Sequence, residues 1–174
     1  MIRQTLMAAS LFALATPTLT AHAQSPATQT TSTANANFGP DLPWESTTEE
    51  ELSDRGFVAT REDPLILNED GSVAMDLSAY DFVTGEAPPT VNPSLWRHLK
   101  LISKDGLYEV SPKVWQVRGF DISVMSIIET DTGYVVVDPL LSVAPAKAAM
   151  DLVREHVGDK PVVAVIYTHS HADH

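Results

Sequence analysis

An α/β fold is predicted by three observations. A run rich in β-branched and aromatic residues breaks at a turn, a helix-patterned segment follows it, and a last apolar strand runs into a cluster of histidines. Strand, helix and strand in that order make a crossover unit. Such a unit sets the loop after its last strand at a carboxyl strand end, where α/β folds present their chemistry.

In chain order, residues 1–23 read as a targeting segment. Arg3 supplies a minimal charged region, residues 6–14 an apolar run, and Ala21-His22-Ala23 a small-x-small cleavage site before Gln24. The expected location is therefore periplasmic or secreted. Ser10, Thr16 and Pro17 interrupt the apolar stretch, so no stable membrane span is expected. Residues 24–37 are Ser, Thr, Ala, Asn and Gln with almost nothing to bury, the composition of a disordered linker.

Residues 38–110 mix acidic patches with turn signals such as Asn68-Glu69-Asp70-Gly71 and read as a segment that wraps a body built elsewhere. The three consecutive acids Glu49, Glu50 and Glu51 point in different directions in any regular element, so a solvated face is expected rather than a metal cluster. Asn92-Pro93-Ser94, followed by Leu95, Trp96, Leu99 and Ile102, is the pattern of a capped helix. Trp96 and Leu99 should face the core, with Arg97 and His98 off that stripe and in solvent.

Residues 111–174 carry a stronger pattern and are expected to begin a further domain. Strands are expected at 114–117, 120–128 and 134–137, the last two joined through Thr130-Asp131-Thr132-Gly133 as an antiparallel hairpin. Residues 143–157 follow as a helix, with Ser142 as a candidate cap, Pro145 in the first turn, Ala146, Ala149, Met150 and Val153 for burial, and Gly158 as the stop. The final strand, 162–168, is expected to be buried. His156, late in the helix, suits the helix carboxyl end better than a metal. Trp44 and Trp115 suit the core.

Composition narrows the function. A length of 174 residues allows one domain, or one and a fragment, and 44% hydrophobic content is enough for a core. Eleven Lys and Arg against 23 Asp and Glu leave a net charge of −12, which argues against a nucleic-acid partner. The same charge repels an anionic substrate at long range, so attraction must come from local cations. Without cysteine, thiolate metal sites are excluded.

The chemistry concentrates in His169-Ser170-His171-Ala172-Asp173-His174. Three imidazoles and a carboxylate within six residues supply enough donors to begin two adjacent transition-metal sites, zinc being the best fit. His169, His171 and Asp173 can leave a strand end on one side, and His174 then needs a local turn. A chance cluster, a purification tag and a loosely binding His-rich tract are weaker readings, because a strand leads into the pattern and Ser, Ala and Asp interrupt it. Asp138, ending the strand Val135-Val136-Val137, is a candidate carboxylate for orienting a ligating histidine, against a plain role in turning the chain with Pro139. Asp121 is a weaker candidate.

The segment Thr168-His169-Ser170-His171-Ala172-Asp173-His174 resembles the signature loop of the metallo-β-lactamase superfamily. Upstream, the stretches 92–100, 114–123 and 132–141, among them Val117-Arg118-Gly119-Phe120-Asp121, resemble the amino-terminal part of its alkylsulfatase branch. The resemblance runs from about Phe38 to His174. It implies a partial αββα sandwich, the amino-terminal portion only, and two zinc ions, with His169 and His171 on one and Asp173 and His174 on the other. It further implies hydrolysis of alkyl sulfate esters by water attacking the ester carbon, with sulfate leaving.

In that branch, acidic residues and a further histidine from downstream complete the centre, and later domains make the complete protein a homodimer. The chain is therefore expected to be an opening fragment, inactive alone. The other readings are another superfamily hydrolase acting on a lactam, thioester or other ester, and a non-catalytic metal-binding fragment.

Overall fold

The computed structural model describes residues 25–174; the expected targeting segment, His22 included, lies outside the described residues. Two helices come first, α1 (Gln29–Ala36) and α2 (Thr48–Asp54), then the short strands β1 (Phe57–Ala59), β2 (Leu65–Leu67) and β3 (Val73–Asp76). After a 3-10 turn at Leu77–Tyr80 come α3 (Pro93–Ile102), β4 (Gly106–Ser111), β5 (Val114–Arg118), β6 (Met125–Glu129), β7 (Tyr134–Val137), α4 (Val143–His156) and β8 (Val162–Ile166). The fold class is the expected mixed α/β.

Six strands form one sheet in the order β1-β4-β5-β6-β7-β8, and β2 with β3 forms a separate hairpin. All pairs are antiparallel except β7 with β8, which the α4 crossover makes parallel. In the β6–β7 hairpin the Thr130 amide donates to the Gly133 carbonyl at 2.8 Å, closing the turn the sequence marks. The core gathers Leu107, Val117, Phe120, Met125, Ile127, Tyr134 and Val136 from the sheet side against Ala149, Leu152 and Val153 of α4.

Several expectations are corrected. α1 lies in the stretch read as linker: Thr28 accepts from the Thr31 amide and starts the turn, yet the helix buries no residue. β1 is not a wrapping piece but the edge of the main sheet, paired with β4. The strand expected over 120–128 begins only at Met125, because 119–123 are bends. Ser142 occupies the cap position of α4 in extended conformation, but its hydroxyl makes no capping bond, and Ala146 is only half-buried.

α3 does start on its predicted cap, Asn92 Oδ1 accepting from the Ser94 and Leu95 amides at 2.9 and 3.4 Å. Trp96 is buried and His98 exposed, as the pattern requires, whereas Leu95 and Ile102 face solvent. Arg97 departs from expectation. Its guanidinium donates to the Trp44 carbonyl at 2.7 Å and the Ser46 carbonyl at 2.5 Å, and reaches Glu49 Oε2 at 3.1 Å and Glu50 Oε2 at 3.5 Å. It pegs the α2 segment to α3, which also makes Glu49 and Glu50 part of an ion cluster rather than a purely solvated face.

β8 is the largest departure. It was expected to be buried, and every one of its residues is exposed. The cause is placement: β8 is an edge strand held by β7 alone, and the main contacts of α4 are with β1 and β4, at the opposite end of the strand order, and with the separate β2–β3 hairpin.

Candidate metal centre

Two chain segments build the site, the corner after β7 and the loop after β8. Parallel pairing sets their carboxyl ends side by side, with Val137 opposite Ile166. The ladder continues one step further, the Asp138 amide donating to the Ile166 carbonyl at 2.9 Å. The corner is sharp: Asp138 and Leu140 both take positive φ, 53° and 74°, in a region few side chains adopt.

Asp138 is 7% exposed and grips the start of the metal loop at two points. Its Oδ1 accepts from the Thr168 amide at 2.8 Å and its Oδ2 from the Thr168 hydroxyl at 2.8 Å. Its Oδ2 also lies 3.0 Å from His174 Nδ1. The Thr168 amide, above all, holds the Asp138 carboxyl down from 3.8 to about 2, with the Thr168 hydroxyl and His174 adding to it while burial pushes the other way. Asp138 thus stays charged throughout the neutral range. The contact with His174 is close but poorly aligned, and Nδ1, shielded from water, has no well-formed hydrogen bond.

Thr168 is a partner that the sequence pattern did not single out. Its one hydroxyl proton goes to Asp138, so its 2.9 Å contact with His169 is made by Nδ1–H donating to Thr168 Oγ1. That assignment leaves His169 Nε2 as the ring's lone-pair nitrogen, and it faces His171 Nδ1. A carboxylate, a hydroxyl and an imidazole in series fix the ring orientation of a would-be ligand.

The loop does not stay extended. It bends through 168–171 and turns at Ala172 and Asp173, with the His174 amide donating to the His171 carbonyl at 3.2 Å. His169 Nε2 and His171 Nδ1 stand 3.0 Å apart, and the His169 and His174 ring centroids are 4.1 Å apart. The turn at Ala172 and Asp173 replaces the extended path expected for this stretch. Asp173 Oδ2 lies 3.4 Å from His174 Nε2.

Among the described residues no group of three or more His, Asp or Glu side chains is arranged to hold an ion as it stands. The donor chemistry nevertheless fits a divalent cation. Two imidazole nitrogens meet at hydrogen-bond distance, a third is buried without a good partner, and two carboxylates stand beside them. His156 is exposed, its Nε2 4.0 Å from Glu155 Oε1. Trp115 belongs to the core, and Trp44 is half-buried with its indole N–H on the Gly39 carbonyl.

Comparison with known proteins decides the family. Residues 118–174, ending on this loop, match the metallo-beta-lactamase superfamily. Those residues belong to that superfamily. It is 47% identical over 151 residues, 86% of its length, to a linear primary-alkylsulfatase of Pseudomonas sp, and 43% identical over 176 aligned residues to an (R)-specific secondary-alkylsulfatase of Pseudomonas sp. An alkyl/aryl-sulfatase of Saccharomyces cerevisiae is 39% identical over 142 residues.

The solved structure of the stereoselective inverting sec-alkylsulfatase Pisa1 from Pseudomonas sp. superposes with a TM-score of 0.81 at 44% identity, covering 86% of the chain. That match covers 24% of the Pisa1 chain, and the curated relatives are covered over 22–26% of theirs. The resemblance read from the sequence is thereby upheld, and with it the fold: a part of the alkylsulfatase metallo-β-lactamase fold. Membership implies a divalent metal. No helix among the described residues is long and apolar enough to cross a membrane.

Proposed function

We propose that this chain carries the first four ligands of a dinuclear zinc centre that hydrolyses alkyl sulfate esters in the complete protein. His169 and His171 would hold one ion, Asp173 and His174 the other. The observation that carries the reading is the convergence of the His169, His171 and His174 rings at a strand end, in a chain 47% identical to a linear primary-alkylsulfatase. When bound, the ions supply positive charge that polarises the sulfate head and acidifies a water molecule.

The chain's own residues do the rest. Asp138 and Thr168 fix the His169 ring, whose Nε2 would be the nitrogen offered to an ion, and the Asp138 charge stands beside His174. The overall change is attack of a water oxygen on the ester carbon, breakage of the C–O bond and departure of sulfate. In the complete protein, His169→Ala or Asp173→Ala is expected to abolish sulfate release from an alkyl sulfate while the protein stays folded. Unchanged turnover overturns the reading. Hydrolysis in oxygen-18 water checks the bond: label in the alcohol supports attack at carbon, and label in sulfate contradicts it.

Four donors fall short of two catalytic spheres, which need roughly three protein ligands each. The 174-residue chain alone is therefore expected to bind zinc weakly and to turn nothing over, and calorimetric titration showing two tightly held ions would contradict this. Export completes the proposal. Mature protein from the periplasm or medium should begin at Gln24 by mass spectrometry, and an intact Met1 there would refute cleavage. A homodimer is proposed for the complete protein, to be read by light scattering.

A further inference from the structure

Residues 119–124, between β5 and β6, look like an unused connection and are tied down more firmly than a connection needs. Gly119 takes φ +75°, and any Cβ there would sit 2.7 Å from Asp105 Cβ, so only glycine admits the turn. Phe120 then enters the core with no exposed surface. Asp121 accepts from the Ile122 amide at 2.6 Å through Oδ1 and from the Leu141 amide at 2.7 Å through Oδ2, which fastens the connection to the corner that carries Asp138. Ser123, 6% exposed, donates its hydroxyl to the Asp173 carbonyl across 50 residues of chain. One short segment therefore holds both halves of the site.

We propose that Ser123 is a positioning residue of the metal loop: its buried hydroxyl, fixed on the Asp173 carbonyl, sets the turn that presents the Asp173 and His174 side chains. The carbonyl sits at the turn's middle, between two residues proposed as ligands of the same ion. Losing its partner frees the peptide plane that orients both. Asp121 has a parallel role on the neighbouring corner. The consequence for metal rests on the zinc reading above; the contact itself does not.

Residue-resolved amide hydrogen exchange on the 174-residue chain, with Ser123→Ala and Ser123→Thr, separates the two. Alanine is expected to speed exchange at the His174 amide, which this turn holds on the His171 carbonyl, by about tenfold, as loss of one buried hydrogen bond allows, while β5 and β6 amides stay protected. Zinc affinity by calorimetry should fall by about tenfold or more, the usual cost of removing support behind a ligand. Threonine keeps the hydroxyl and should restore both. Unchanged exchange at the His174 amide with alanine overturns the inference, as does uniform quickening through β5 and β6, or threonine behaving as alanine does. A chain that binds no zinc in any version counts against the metal reading alone, and the exchange pattern still decides the role of Ser123.

Discussion

β7 and β8 are neighbours in one sheet with nearly the same composition, Tyr-Val-Val-Val against Val-Val-Ala-Val-Ile, and their environments are opposite. Tyr134 is fully buried and Val136 is 3% exposed, whereas Val163, Val165 and Ile166 stay between 46% and 50% exposed. β7 has β6 and β8 on its two sides and contributes to the α4-covered core; β8 has hydrogen bonds to β7 and little else. Hydrophobicity thus specifies that a residue can be buried, and the neighbouring layer decides whether it is. The metal loop hangs from the bare strand, while its main anchor, Asp138, hangs from the packed one.

The largest expected effect contrasts the two strands directly. Tyr134→Ala empties a fully buried aromatic site, removes the 2.6 Å bond from its hydroxyl to the Gly158 carbonyl, and should cost about 3–5 kcal/mol in urea unfolding. Val165→Ala, one strand away, should stay within about 0.5 kcal/mol. Comparable losses at both positions would mean that β8 is packed after all. Tyr134→Phe isolates the hydroxyl and should cost about 1 kcal/mol.

The same contrast explains what could be read in advance. β7, the hairpin turn and α4 were legible because their signals are local: alternation, Thr130 to Gly133, and apolar spacing from Pro145 to Val153. The cap of α3 was equally legible in Asn92. β1 was not, since three residues carry no periodicity and its pairing with β4 is long-range. The bends at 119–123 hid inside an apolar run because Gly119 and the Asp121 side chain override β propensity there. For the site, the four donors are contiguous and show themselves. Asp138 could be suspected from its place at a strand end. Thr168 stands in the matching loop segment, but only the parallel pairing of β7 with β8 brings it to Asp138, and nothing local says that Ser123, 50 residues away, meets the Asp173 carbonyl.

A smaller effect tests whether the packed strand controls the bare one's loop. Asp138→Ala removes both acceptors of Thr168, so exchange at the Thr168 amide should quicken and zinc affinity should fall by about 10–100-fold. The pH dependence has a definite sign. A carboxyl whose pKa is lowered on folding supports the folded loop fully above the ordinary value of 3.8, and that support is lost as pH falls towards about 2. Protection of Thr168 should therefore hold from neutrality to near 3.8 and decay below it. Decay already near neutrality would point to a different anchor.

The smallest effect lies at the other end of β8. Lys160 Nζ donates to Glu129 Oε1 at 2.6 Å and to the Thr130 carbonyl at 3.1 Å, tying the entry of β8 to the β6–β7 turn. The bond to Glu129, opposed by burial, raises the ammonium pKa above 10.5. A group whose pKa rises on folding contributes fully below 10.5, and the contribution disappears as pH climbs past the raised value. Lys160→Met should lower the urea midpoint slightly near neutrality and match the parent chain once the parent's ammonium is deprotonated. Because β8 has so little packing, fraying should show first in its own amides. If β8 keeps its protection while the midpoint drops, the ion pair serves the hairpin turn rather than the strand.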